Sequence, residues 1–136
     1  MIRRNINKKA KGTDAERELV KMFWDNNWAC VRVAGSGSSK YPSPDILASD
    51  GNKKIVMEVK TVADVKKYFS RQQVDELLFF AGKFCSQAWI GVKFKESQWY
   101  FIPALELEKT SADNYKIDLI KMKKSGFNFD EMITMC

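Results

Sequence analysis

Residues 42–60 read PSPDILASDGNKKIVMEVK, two short apolar runs separated by a tight-turn signal. With Gly51 and Asn52 as the central turn residues, the two runs are predicted to form a β-hairpin. Counting outward from this turn places Asp45 directly opposite Glu58. A register slip of two residues would keep both on one face, because side chains alternate with a period of two. The hairpin therefore predicts two neighbouring strands that carry two facing carboxylates.

The facing carboxylates suggest a metal site. Directly opposed like charges are unfavourable, by about 0.2–1 kcal/mol, so such a pair usually has a third partner. Two carboxylates, a backbone carbonyl such as that of Val59, and water are ligands that Mg²⁺ or Mn²⁺ prefers. Lys60 points to the same face as Glu58 and can orient or deprotonate a water, or hold a phosphate oxygen. Alternatively, both carboxylates are solvated and Asp45 merely starts a strand after Pro44.

Length and composition narrow the class of protein. The chain has 136 residues, 45% of them hydrophobic, which suits one domain with a real core. It has no apolar run long enough for a membrane span and no signal-peptide pattern, so we expect a cytoplasmic protein without a membrane partner. The absence of histidine excludes serine and cysteine triads, histidine-based nucleases and H-E-x-x-H zinc hydrolases. Three widely spaced cysteines, Cys30, Cys85 and Cys136, are expected to be reduced thiols.

The positive charge is concentrated at the N-terminus. The net charge is +6, and residues 1–12 contain five basic side chains and no acid, which leaves residues 13–136 at +1. The five are Arg3, Arg4, Lys8, Lys9 and Lys11. We therefore expect a basic N-terminal arm, residues 1–12, on a single domain, residues 13–136. Such an arm suits contact with a phosphate backbone, although a solvated terminus that only aids solubility is equally consistent with the charge.

The remaining sequence predicts alternating helices and strands. One helix should begin with Thr13 as N-cap and Glu16 in the capping-box position, and a second with Ser70 and Gln73 in the same two roles. Strands are predicted at 28–34, 45–49, 54–61, 88–94 and 98–103, followed by a short helix at 104–109, extended chain at 115–120 and a helical turn at 130–135. The predicted fold class is α/β, with a central mixed five-stranded sheet flanked by helices.

Two further features adjoin the carboxylate pair. Glu16 lies on the same helical stripe as Val20 and Phe23, so it borders the face that packs on the sheet, although the capping box accounts for it nearly as well. The GSGSS loop, residues 35–39, offers small residues and hydroxyls for close approach of a phosphodiester, or is an ordinary connector. Ser36 lacks a histidine base, so its expected role is to hydrogen-bond at the phosphate.

These residues resemble a known family. Pro44-Asp45 and Glu58-Val59-Lys60 look like the P-D…(D/E)-x-K motif of the restriction-endonuclease-like nucleases. The blocks KGTDAERELV, VRVAGSGSSKYPSPDI, SRQQVDELLFFA and GVKFKESQWYFIP occur in an order and spacing similar to those of the archaeal Holliday junction resolvases, cellular and viral. The resemblance covers about residues 11–120.

The resemblance implies a set of site residues. Glu16, Asp45 and Glu58 would be the metal-binding acids and Lys60 the catalytic lysine. Further positions that would support cleavage or contact DNA are Ser36, Arg17, Arg32, Lys40, Gln73 and the basic residues of the arm. Two departures stand out. Residues 61–70 lack the basic residue expected soon after the motif, for which Lys66 and Lys67 could compensate, and the tail after Asn114 matches poorly.

The expected function is a structure-selective, Mg²⁺-dependent endonuclease that resolves four-way DNA junctions by paired symmetric nicks, with Mn²⁺ able to substitute. The alternatives are a related nuclease acting on duplex ends, flaps or foreign DNA, and a non-catalytic junction-binding module. The resemblance also implies a homodimer. Candidate patch residues are Trp89, Phe94, Trp99, Tyr100, Phe101, Phe79 and Phe80, and core packing is expected to claim more than half of them.

Overall fold

The computed structural model describes residues 2–36, 40–94, 98–111 and 113–135, without the side chains of residues 2–11. Its helices are α1 (Ile2–Asp25), α2 (Arg71–Lys83), α3 (Leu119–Ser125) and α4 (Phe129–Met135). Its strands are β1 (Ala29–Arg32), β2 (Ile46–Ser49), β3 (Lys54–Val62), β4 (Lys66–Ser70), β5 (Gln87–Phe94), β6 (Gln98–Pro103), β7 (Glu108–Ser111) and β8 (Asn114–Asp118). A 3₁₀ turn covers Ala104–Glu106. Within the described ranges no helix is both long and apolar enough to cross a membrane.

The predicted hairpin lies at the centre of a mixed five-stranded sheet of order β1-β2-β3-β5-β6. Strands β3 and β5 are parallel, and the other neighbours are antiparallel. Ile46 pairs with Met57, the register that counting from the turn predicts. Gly51 has a φ of +98°, which favours glycine, and the Asp50 carboxylate accepts hydrogen bonds from two turn N–H groups. The turn chemistry therefore sets the register that the carboxylate pair requires.

The second helix is as the sequence predicts, whereas the first is longer. Ser70 is the N-cap of α2, and Gln73 completes a capping box. Helix α1 begins at Ile2, so the prediction that Thr13 is an N-cap is wrong. The helix continues through Gly12, where a Cβ would meet nothing within 4 Å. A sequence that can cap a helix does not require the helix to begin there, and here the basic segment before Thr13 is also helical.

Three elements were missed by the sequence analysis. They are β4, β7 and α3. Strands β4 and β7 flank β8 in a separate three-stranded antiparallel sheet of order β4-β8-β7. The first strand of this small sheet follows the β2–β3 hairpin along the chain and leads directly into α2.

Two apolar clusters cover the two faces of the five-stranded sheet. Helices α1 and α4 pack on one face, where Phe23, Met57 and Phe101 are fully buried. Helix α2 covers the other face, where Val74 packs with Ile90. A sheet buried on both faces explains the apolar character of its central strands.

Most of the candidate patch residues on strands β5 and β6 are buried, and Tyr100 is half-buried. Trp89, Phe94, Trp99 and Phe101 are all buried and belong to the core, as the core-packing alternative predicts. Phe79 on α2, by contrast, is well exposed. The helical part of the predicted patch is therefore the more exposed part.

Two of the three expected free thiols fall within the described residues. Cys30 is buried and Cys85 is exposed, and both are free. Burial raises the pKa of Cys30 to about 12, so this thiol is unreactive. Cys136 lies outside the described residues.

Candidate functional site

The site is built around Asp45, which stands where three strands meet. The Asp45 carbonyl accepts a hydrogen bond from the N–H of Val33 at 2.8 Å, and the Asp45 N–H donates to the carbonyl of Met57 at 3.0 Å. These bonds fix the backbone of Asp45 between the ends of β1 and β3. Its side chain is buried, with only 7% of the residue exposed, which is unusual for an aspartate.

Both oxygens of the Asp45 carboxylate have protein donors. The Ser36 hydroxyl donates to Oδ1 at 2.5 Å, and the Val59 N–H donates to Oδ2 at 2.8 Å. Charge-assisted bonds of this kind hold a carboxylate in one orientation. Ser36 was expected to hydrogen-bond at a phosphate. In the structure the Ser36 hydroxyl instead donates to Asp45. Ser36 directly precedes residues 37–39, which lie outside the described residues.

Glu58 lies beside Asp45 in surroundings that disfavour its charge. Its side chain is 23% exposed, and its Oε1 is 3.7 Å from Nζ of Lys60. Burial, and then the negative charge of Asp45, raise the pKa of Glu58 to about 8, although Lys60 acts in the opposite direction. Without a cation, the two carboxylates therefore retain a proton near neutral pH. The donor set fits a hard divalent cation, which would stabilise both carboxylates in the charged form.

Glu16 faces the same site from α1. Its Oε1 is 3.5 Å from a guanidinium nitrogen of Arg32 on β1. Burial and the charge of Asp45 raise its pKa, whereas Arg32 lowers it, so Glu16 lies within electrostatic reach of Asp45. Among the described residues, however, no three acidic or thiol side chains form a ready-made metal cluster. The structure thus brings Asp45 close to Glu58. Glu16 lies near them and forms an ion pair with Arg32.

The other predicted site residues are placed as follows. Arg17 is exposed on α1. Lys40 is exposed too, with its ammonium nitrogen 5.8 Å from the centre of the Tyr41 ring. Gln73 caps α2 and also lines a cavity of about 280 Å³ that Ser36 and Glu58 border. The side chains of the five basic arm residues lie outside the described part of the chain.

Sequence reasoning missed several residues of this cavity. Tyr41, Pro42, Ser43, Glu76 and Leu77 also line it. Glu76 follows Gln73 by three residues, so helical spacing alone places the two side chains on one face of α2. No comparable local signal exists for Tyr41 and Ser43, because their loop reaches α2 only through the tertiary fold.

The fold and site together define the class of protein. A mixed five-stranded sheet with helices on both faces and an acid–acid–lysine set on its hairpin is the restriction-endonuclease-like fold. The solved structure of Archaeoglobus fulgidus Hjc, a Holliday junction resolvase from an archaeal hyperthermophile, matches this chain with a TM-score of 0.83 and 34% identity. The match covers 90% of this chain and 98% of that one.

Sequence comparison identifies the family. The family model described as archaeal Holliday junction resolvase (hjc) matches residues 7–136. The crossover junction endodeoxyribonuclease Hjc of Archaeoglobus fulgidus is 40% identical over 81% of this chain and 80% of its own length. The enzyme of the same name from Sulfolobus acidocaldarius is 32% identical over 94% of this chain and 90% of its own length. The chain belongs to the archaeal Holliday junction resolvase family, whose nucleases in general depend on a divalent metal ion.

Proposed function

We propose that this protein is a structure-selective endonuclease that resolves four-way DNA junctions by paired symmetric nicks and uses Mg²⁺. The observation that carries the proposal is the buried Asp45 beside Glu58, with Lys60 at 3.7 Å from Glu58, in the fold of the resolvase family. A purely structural role does not account for two adjacent, largely buried carboxylates, because such a pair is unfavourable without a cation.

The proposed metal ligands are Glu16, Asp45, Glu58 and the backbone carbonyl of Val59. All four supply oxygen, which suits Mg²⁺ and allows Mn²⁺ to substitute. When bound, the ion would activate a water for attack on a phosphodiester and neutralise charge on the leaving oxygen.

The protein's own groups prepare this site. Ser36 and the Val59 N–H hold the Asp45 carboxylate in one orientation. Arg32 holds Glu16 and adds positive charge where a phosphate would lie. Lys60 lies beside Glu58 and would orient the attacking water or hold a phosphate oxygen. In this assignment Ser36 acts through Asp45 rather than on the substrate.

DNA binding is assigned to basic and polar groups around the site. Arg17 and Lys40 are exposed, on α1 and on the loop before Asp45. Gln73 borders the cavity next to Glu58. The remaining contacts are assigned to the basic residues of the N-terminal segment, Arg3, Arg4, Lys8, Lys9 and Lys11. These groups would supply the salt-dependent part of affinity.

We further propose a homodimer that pairs through α2. Phe79 and Phe84 are each more than half exposed on or just after this helix. The Phe80 ring stacks on that of Phe84, with a centroid distance of 4.4 Å. Adjacent exposed aromatic rings form an apolar patch of the kind that drives association. A two-fold axis would give two sites for the two cuts that junction resolution needs.

The test separates binding from chemistry. Asp45→Asn and Glu58→Gln should abolish cutting of a four-way junction in Mg²⁺ while leaving its affinity in EDTA within about threefold, because binding rests on phosphate contacts. Asp130→Asn, at an exposed position on α4, is the matched control and should cut normally. Mg²⁺-dependent cutting by either site variant would refute the assignment, and wild-type protein that cuts linear duplex as well as junctions would refute the selectivity.

A further inference from the structure

The cavity next to Glu58 is lined by both polar and apolar residues. Its volume is about 280 Å³, and its apolar lining includes Tyr41, Pro42 and Leu77. The Tyr41 residue is 72% exposed, so a second planar group can reach its ring. Glu58 also lines the cavity, so an occupant would lie next to the proposed catalytic acids.

The Ser43 hydroxyl needs a partner that the described part of the chain does not supply. Its Oγ is inaccessible to solvent and makes no hydrogen bond to any described residue. A buried hydroxyl without a partner is unfavourable and uncommon in folded proteins. Ser43 belongs to the wall of the cavity, so rotation of its side chain would bring the hydroxyl to a molecule bound there.

Gln73 and Glu76 add a donor and an acceptor from α2. The Gln73 Oε1 accepts from the Ser70 N–H at 2.9 Å, which leaves the Gln73 amide N–H groups as donors. One Glu76 oxygen accepts from Gln72 at 3.1 Å, and the other oxygen remains as an acceptor. The wall therefore offers a hydroxyl, an amide donor and a carboxylate acceptor within one small recess.

We propose that this cavity binds one unstacked nucleobase of the strand that is cut, adjacent to the scissile phosphate. The base stacks on Tyr41, and its edge meets Ser43, Gln73 and Glu76. Stacking on aromatic rings accepts any base. The Glu76 acceptor favours a base with an exocyclic amino group, so thymine is the least favoured occupant.

This inference rests on the proposed function and extends it to selectivity. Bases at a branch point have lost a stacking neighbour, so less free energy is needed to turn one out than in a continuous duplex. A base-binding recess beside the catalytic acids therefore increases the affinity for a junction relative to linear DNA.

The test is an abasic scan of the cut strand. One abasic nucleotide is placed at successive positions on either side of the cut, and junction affinity is measured in EDTA, where no cutting occurs. Wild-type protein should lose about 5- to 150-fold in affinity at a single position, the range expected for one stacked base. Tyr41→Ala should lose a similar factor in affinity for the intact junction. Placing the abasic nucleotide in the junction should then cause no further loss of affinity. Tyr41→Phe, which keeps the ring, should behave as wild type.

Two controls make the outcome decisive. Tyr68→Ala removes a tyrosine that is 57% exposed on the small sheet, and it should keep the full abasic sensitivity. Ser43→Ala should fold at least as well as wild type and bind the intact junction more weakly. Glu76→Ala should weaken the preference against thymine at the sensitive position. The inference is overturned if wild type tolerates the abasic nucleotide at every position, or if Tyr41→Ala remains sensitive to it. A wild-type protein that neither binds nor cuts junctions would instead contradict the proposed function.

Discussion

The Glu58 carboxyl group shows most clearly how the site differs from an ordinary pair of surface acids. Its neighbour Asp45 is held in place by two hydrogen bonds, so it cannot turn away. Burial and the Asp45 charge together raise the pKa of Glu58 to about 8. Lys60 offsets only part of this effect. The metal-free protein thus carries an unfavourable interaction at the point where a cation is proposed to bind.

This interaction predicts a pH-dependent stability. Between the usual Glu value of 4.5 and about 8, folded Glu58 keeps a proton that the unfolded chain has lost. The free energy of unfolding should therefore fall as pH rises through this window, by at most about 1.4 kcal/mol per pH unit. Glu58→Gln removes the titrating group and should flatten the dependence. Urea unfolding in EDTA at pH 5 to 8 measures the difference, and identical slopes in both proteins would contradict the assignment.

Helix α2 shows how one residue can serve the fold and the site together. Gln73 completes the capping box with Ser70, and it also borders the cavity next to Glu58. The sequence presented these roles as alternatives. The geometry allows both, because the side-chain oxygen faces the helix terminus and the amide nitrogen is not used there.

A pair of variants separates the two roles. Gln73→Ala and Ser70→Ala each remove one half of the capping box, so each should lower the free energy of unfolding by about 1 kcal/mol or less. Only Gln73→Ala removes a group proposed to bind DNA, so only it should also slow junction cutting well below the melting temperature. Parallel melting curves and cutting rates decide the matter. Equal activity in the two variants would leave Gln73 with a capping role alone.

Helix α1 joins the basic segment to the catalytic domain. Because the helix is continuous from Ile2 to Asp25, the basic residues and Glu16 lie on one element. Replacing Arg3, Arg4, Lys8, Lys9 and Lys11 with glutamine keeps helix propensity and removes five charges. The slope of log affinity against log salt should then become shallower by about 0.9 for each phosphate that the variant no longer neutralises. Lys121→Gln with Lys123→Gln on α3 is the control. An unchanged slope in the arm variant would show that the segment does not touch DNA.

The elements also show what the sequence could and could not predict. The β2–β3 register depends on a local turn, and it was predicted correctly. The predicted proximity of the Asp45 and Glu58 side chains is also confirmed. Strand β4 was missed because Lys66 and Lys67 interrupt any alternation and its partner strand lies far along the chain. Tyr41 and Ser43 were missed for a similar reason. Only the folded chain brings their loop against α2.

At the scale of the whole molecule, one chain holds one Asp45–Glu58 pair and thus supports one nick. Resolution of a four-way junction needs two nicks related by the approximate two-fold symmetry of the DNA, so a C2 dimer matches the substrate. The aromatic residues of β5 and β6 are largely committed to the core, which leaves the α2 surface around Phe79 and Phe84 as the proposed contact. In such a dimer both sites engage the same junction before either product leaves.

A supercoiled plasmid that extrudes a cruciform tests this central claim most directly. Two nicks made within one binding event convert the plasmid to a linear form, whereas one nick relaxes it, removes the cruciform and leaves a nicked circle. We predict that the wild-type protein in Mg²⁺ produces linear DNA as the main product from the start of the reaction, and that Asp45→Asn produces neither form. Accumulation of nicked circles alone, with no linear product, would contradict the account.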